Sequence, residues 1–185
     1  MNHCTLLAKL AVENSIKEGI IIDPPVDLPK EFSERRAGVF VTIEKGNELR
    51  GCIGTYLPSR PTIAQEIIRN AVAAATKDNR FNPVKDEELP HLSYIVYVLG
   101  DPEPVEEAGG LDPGKFGVIV KTAPFAFPNQ EVVFDPNVPL KCGLLLPNLD
   151  GIDTAEKQFA IACEKGQIDP VKEKVFIYRF VAEKY

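Results

Sequence analysis

Apolar residues Leu6, Leu7, Leu10, Ala11 and Ile16 recur at helical spacing, and Gly19 follows where a left-handed cap belongs, so the pattern predicts an amphipathic helix from Cys4 to Glu18. Asp23-Pro24-Pro25 and Leu28-Pro29 then break the periodicity, because proline supplies no amide and restricts the residue before it. Alternation takes over in Val39 to Glu44 and Glu48 to Tyr56, two strands separated by Lys45-Gly46-Asn47, a tight hairpin turn. Thr62-Ile63-Ala64-Gln65 has the spacing of a capping box, and Ile63, Ile67, Ala71 and Ala75 carry one helical face through to Thr76. Turn formers from Lys77 to Pro83 end that helix, and Tyr94 to Leu99 is a third strand.

Asp101-Pro102-Glu103-Pro104 reads as a linker between subdomains. Beyond it the pattern is of short strands in proline-rich surroundings: Gly117 to Lys121, Glu131 to Phe134 and Gly143 to Leu146. Thr154 opens a helix with Ala155, Phe159, Ala162 and Cys163 on one side and Gly166 at its end, which makes Cys163 a core residue. Val175 to Ala182 is a closing strand. Strands and helices mixed without regular β-α-β alternation favour an α+β fold with largely antiparallel sheets over a Rossmann-like one.

Composition narrows the partners. The chain has 185 residues, and its 21 Lys and Arg against 27 Asp and Glu leave a net charge of -6, so a broad grip on a phosphate backbone, and DNA as a ligand, are not expected. Cys4, Cys52, Cys142 and Cys163 form no zinc-like spacing, and no apolar run approaches the roughly 20 residues that span a bilayer. Scattered cysteines and an N-terminus without signal-peptide features predict a soluble cytoplasmic protein with reduced thiols and no membrane association. Neither a metal nor a cofactor is expected.

Leu49-Arg50-Gly51-Cys52-Ile53-Gly54-Thr55 is the candidate site. On an extended strand Arg50, Cys52 and Gly54 share a face, and next-but-one neighbours roughly 7 Å apart put a cation near the thiol, where it favours the reactive thiolate. Gly51 and Gly54 imply a bulge, a bend, or the close approach of a ligand or second backbone. The other reading is that Cys52 packs as a small hydrophobe and the glycines only mark a bulge. Arg80 in the following loop either binds an anion or pins a carboxylate. The acidic run Asp86-Glu87-Glu88 reads as a solvated helix start. Gly109 to Lys115 has the spacing of a phosphate-binding loop, but Phe116 replaces the Ser or Thr that holds magnesium and Pro113 removes an amide, so it reads as a surface turn. His91 is the one histidine placed to pair with Cys52, and an exposed loop residue is the plainer reading.

The segments L-R-G-C-I-G-T at 49–55, Asn70-Ala71, Asp78-Asn79-Arg80-Phe81-Asn82-Pro83-Val84, Glu88-Leu89 and Gly143-Leu144-Leu145-Leu146-Pro147, taken in order, resemble the AMMECR domain family, protein A of the AmmeMemoRadiSam system. Arg36 to Val41 and Leu111-Asp112-Pro113 with Gly117 to Val120 extend the likeness. The resemblance implies an α+β fold of two subdomains of unequal size, each with a mainly antiparallel sheet flanked by helices and a cleft between them. The larger would hold 1–104 and 172–185, the smaller 105–171. It also implies association with a Memo-type protein and a radical SAM enzyme, and it places the L-R-G-C-I-G segment at the cleft. It carries no reaction with it.

Two functions follow. One is an enzyme or enzyme component acting on a bulky substrate, protein or RNA, with Cys52 and Arg50 catalytic and Gly51, Gly54, Thr55 and Arg80 binding. The other is a binding module without chemistry. The chain departs from the family pattern at Asn79, at Lys165-Gly166-Gln167-Ile168 and in a long link from Thr122 to Lys141.

Overall fold

Helix α1 (His3–Glu18) begins where the Asn2 side chain accepts the Thr5 amide at 2.9 Å and ends where Gly19, at φ 68°, turns its N–H back onto Asn14 and Ser15 carbonyls. These facts come from a computed structural model that describes residues 2–125 and 139–185. The expected strand Glu131 to Phe134 lies outside them. A single turn, α2 (Lys30–Ser33), follows the proline-rich stretch and buries Phe32. Strands β1 (Val39–Lys45) and β2 (Glu48–Thr55) form the expected hairpin. Its two turn residues, Gly46 and Asn47, have φ of 61° and 66°, the left-handed pair whose twist matches flanking strands.

Helix α3 (Ile63–Thr76) starts at Thr62, whose hydroxyl accepts the Gln65 amide at 3.2 Å. A short 3-10 helix (Asp86–His91) leads into β3 (Leu92–Leu99). The first sheet runs β2-β1-β3-β8, where β8 is Ala182–Lys184. Alternation puts Val39, Val41, Ile43, Val96 and Val98 on one face, and these bury against Leu7, Ala8, Ala11 and Val12 of α1 and Ile67, Ala71 and Ala74 of α3. Each full burial of such an aliphatic side chain contributes about 1.5–3 kcal/mol.

The second sheet runs β4 (Glu103–Val105), β7 (Phe176–Phe180), β5 (Gly117–Lys121), β6 (Cys142–Leu145), with each neighbouring pair antiparallel. Helix α4 (Ala155–Gly166) covers it, with Ala162 and Cys163 packed among Val118, Val120, Leu145 and Ile177. Cys163 is core, as its helical position implies.

Contacts divide the chain into two units, 1–100 with 183–185, and 101–182. Two details differ from the sequence reading. The stretch taken as a linker contains β4, because Glu103 to Val105 pair with Arg179 to Ile177. The single closing strand is two: β7 pairs in the second sheet, and beyond Val181 β8 joins the first, where Tyr185 and Val96 exchange both backbone hydrogen bonds. Residues 172–182 therefore group with the second unit, and 183–185 with the first. Gly109 to Lys115 runs from a short 3-10 helix (Ala108–Gly110) into a turn organised by Asp112, which accepts the amides of Gly114, Lys115 and Phe116.

Candidate functional site

Strand β2 is an edge of the first sheet. Ile43 lies opposite Gly51 and Glu44 opposite Leu49, so Arg50 is an extra residue in a β-bulge. Both glycines are filled in by the protein itself. A Cβ on Gly51 would overlap the Ala74 carbonyl oxygen of α3, and one on Gly54 would overlap the Phe40 ring. Cys52 is half-buried opposite Thr42, on the face away from the helices, and the Thr42 hydroxyl donates to its Sγ at 3.3 Å.

Each motif arginine is held by a carboxylate from the segment after α3. Arg50 donates through Nε to Glu88 Oε2 at 3.0 Å and through Nη2 to Oε1 at 2.9 Å. Lys45 Nζ and the Lys85 amide also donate to Glu88, each at 3.0 Å. Hydrogen bonds from Arg50, foremost, hold the Glu88 carboxyl down at about 2, against the upward push of burial. Arg80 likewise donates to both oxygens of Asp78, at 2.9 and 2.7 Å, and holds that carboxyl at about 2. Asp78 in turn raises the Arg80 pKa. The Phe81 ring has Arg50 and Arg80 guanidinium carbons 5.9 and 5.5 Å from its centroid.

Asp78 and Arg80 together stand in for a missing neighbouring strand. The Cys52 N–H donates to Asp78 Oδ2 at 2.8 Å, and the Cys52 carbonyl accepts from Arg80 Nη2 at 3.3 Å. The side chain of Asp78 is 3% exposed and that of Arg80 is 52% exposed, so the carboxylate is sealed while the guanidinium still meets solvent.

Thr55 faces α3. Its hydroxyl donates to Glu66 Oε1 at 2.7 Å and accepts from Asn70 Nδ2 at 3.2 Å. Glu66 is fully buried and also accepts the Ser59 hydroxyl and the amides of Ser59 and Arg60, which fastens the loop after β2 onto the helix. Beside these residues, a groove of about 760 Å³ runs between α3, the edge of β2 and the segment 21–24. Gly54 and Thr55 line it; Arg50 and Cys52 do not.

The structure thus brings Cys52 and Arg80 together through the Cys52 backbone, and sends Arg50 to Glu88 and Thr55 to Glu66. The Arg50 guanidinium donates to Glu88, and the Cys52 thiol accepts from Thr42. His91 is exposed at the end of the 3-10 helix. No group of three His, Cys, Asp or Glu side chains among the described residues is placed to hold a metal.

Sequence reasoning missed Glu66 and misread Glu88. The run 86–88 is not simply solvated, because the Glu88 side chain is 14% exposed and bonded to both Arg50 and Lys45. A carboxylate four residues before Asn70 on the apolar face of α3 was the available signal for Glu66.

The AMMECR1 family model matches residues 5–185. A protein of Thermotoga maritima is 44% identical over 175 residues, covering 94% of this chain and 91% of its own. One from Clostridium acetobutylicum is 40% identical over 164 residues, 88% of this chain but 31% of that longer protein. The crystal structure of an uncharacterised protein from Pyrococcus horikoshii superposes with a TM-score of 0.82 at 32% identity, covering 98% of this chain and 88% of that one. Among the described residues no helix is long and apolar enough to cross a membrane.

Proposed function

The chain belongs to the AMMECR1 family, and on that premise we propose that it is a cytoplasmic binding module that recognises a protein partner. The Memo-type protein and the radical SAM enzyme implied by the family resemblance are the first partners to test. The observation that carries this reading is the commitment of both motif arginines to carboxylates of their own chain, Arg50 to Glu88 and Arg80 to Asp78. A guanidinium in a bidentate pair is a poor candidate for activating a thiol or gripping a substrate anion, because its charge is already matched. A nucleophile with an adjacent base, the arrangement that activates a thiol, has no counterpart among the hydrogen bonds Cys52 makes to the described residues.

The test is binding of the purified chain to a purified Memo-type protein and to a purified radical SAM enzyme, by biolayer interferometry. Saturable binding to one of them, retained in Cys52→Ser, is expected. Binding to neither overturns the reading.

One observation favours the enzyme reading instead: Cys52 is half-buried, not sealed, and a hydroxyl donates to its sulfur. If Cys52 alkylates no faster than the buried Cys163 at neutral pH, a nucleophilic role on a protein or RNA substrate fails.

A further inference from the structure

We infer that the groove beside β2 binds an extended, acidic segment of a partner protein, which adds as a short strand along the open part of the β2 edge at Gly54. The inference rests on the binding-module reading and specifies its ligand.

The strand phase supplies the first argument. The Cys52 N–H and C=O face away from β1, toward Asp78 and Arg80, so two residues on the Gly54 N–H and C=O face the same way. The Asp78–Arg80 pair guards Cys52 alone, and Gly54 has no hydrogen-bond partner on that side among the described residues. Gly54 also lines the groove.

The rest of the lining fits a chain of this kind. Ile53, Ile68 and Val72 give an apolar floor. The Gln65 side-chain oxygen is buried without a hydrogen-bond partner among the described residues. From Gln65 to Ala73 the helix covers about 12 Å at about 1.5 Å per residue, the length of three to four extended residues.

Charge settles the ligand's sign. Exposed Arg60 and Lys77 rim the groove, with Arg69 paired to the buried Glu66 at 3.9 Å, against one lining acid, Asp23, on a chain whose net charge is -6. A localised cationic rim on an acidic protein attracts a short acidic segment, whereas a long polyanion such as RNA meets repulsion beyond the groove. Main-chain pairing then gives affinity and alternate side chains give selectivity.

The experiment uses the full chain and three fluorescein-labelled hexapeptides: alternating valine and glutamate, alternating valine and lysine, and the glutamate peptide N-methylated at alternate amides. Anisotropy titrations should show saturable binding of the first, weakened by salt, with the other two at least about tenfold weaker. The double charge reversal Arg60→Glu with Lys77→Glu should weaken the first by at least about tenfold. If the reversal variant fails to fold, Arg60→Gln with Lys77→Gln takes its place. Hydrogen exchange read by NMR should slow at the Gly54 amide on peptide addition and stay unchanged at the Cys52 amide, which Asp78 already holds. Equal binding of the lysine or N-methylated peptide, or no saturable binding of the glutamate peptide, overturns the inference. If partner proteins bind and the reversal leaves them unaffected, this inference falls while the module reading stands; peptide binding without partner binding does the opposite.

Discussion

Replacing Asp78 with asparagine isolates the clamp on the β2 edge. The amide keeps an oxygen for the Cys52 N–H, but it loses the charge that holds Arg80. The folded carboxyl sits at about 2 against an ordinary 3.8. At about 1.36 kcal/mol per pH unit, that difference corresponds to about 2 kcal/mol of stability. Complete loss of a buried partner costs about 3–5 kcal/mol, but the Arg80 side chain is 52% exposed and rehydrates when freed, so the smaller figure applies. Because the folded value is depressed, the contribution is fully present above the unfolded pKa and is lost as pH falls through the folded one. Urea unfolding followed by circular dichroism should show Asp78→Asn about 2 kcal/mol less stable than the parent at pH 7, a midpoint drop of about 1 M. The gap should narrow through pH 3 and fall below about 0.5 kcal/mol by pH 2. Glu88 titrates in the same window but is present in both proteins, so it cancels from the difference. A deficit of the same size at pH 7 and pH 2, or none at pH 7, would refute the reasoning.

Gly51→Ala drives a methyl into the Ala74 carbonyl and should cost about 1–3 kcal/mol in urea, while Gly109→Ala, with open space around it, should cost little; equal effects would deny that α3 seats on Gly51. Under limited iodoacetamide treatment, mass spectrometry should find Cys52 labelled before Cys4 and Cys163, whose thiols burial pushes up, Cys4 to about 12. Arg50→Lys should change the Cys52 labelling rate less than about twofold, because the guanidinium belongs to Glu88; a larger slowing would show that Arg50 acts on the thiol. Glu66→Gln leaves two of four donors facing a donor and should lower stability by about 2 kcal/mol or more, read by thermal melting; an unchanged melting temperature would remove Glu66 as the fastening for the loop after β2.

Much of the architecture is legible in local pattern. The periodicities of α1, α3 and α4, the cap at Gly19 and the Gly46-Asn47 turn each depend on neighbours within a few residues, and each is where the pattern puts it. The site was legible as a place and not as a set of contacts. Cys52 and Arg50 are close in sequence, but the bulge at Arg50 and the carboxylate of Glu88, 38 residues away, decide where the guanidinium goes. Asp78 reaches Cys52 across 26 residues for the same reason. A one-dimensional pattern gives the phase of a strand but not which distant charge will meet it. The break at Val181 escaped notice because residues 175–182 alternate well enough for one strand, and only the pairing partners reveal two.

The place of β8 bears on how the molecule is made. Residues 183–185 belong with the first unit, yet the whole second unit, 101–182, is synthesised between β3 and β8. At ribosomal rates of about 5–20 residues per second, the β3 edge waits roughly 4–16 s for its neighbour. An uncovered edge over such an interval is an invitation to pair with another nascent chain, and a holding chaperone would have its work at β3 during that wait. The unit that starts first on the ribosome is therefore the one completed last.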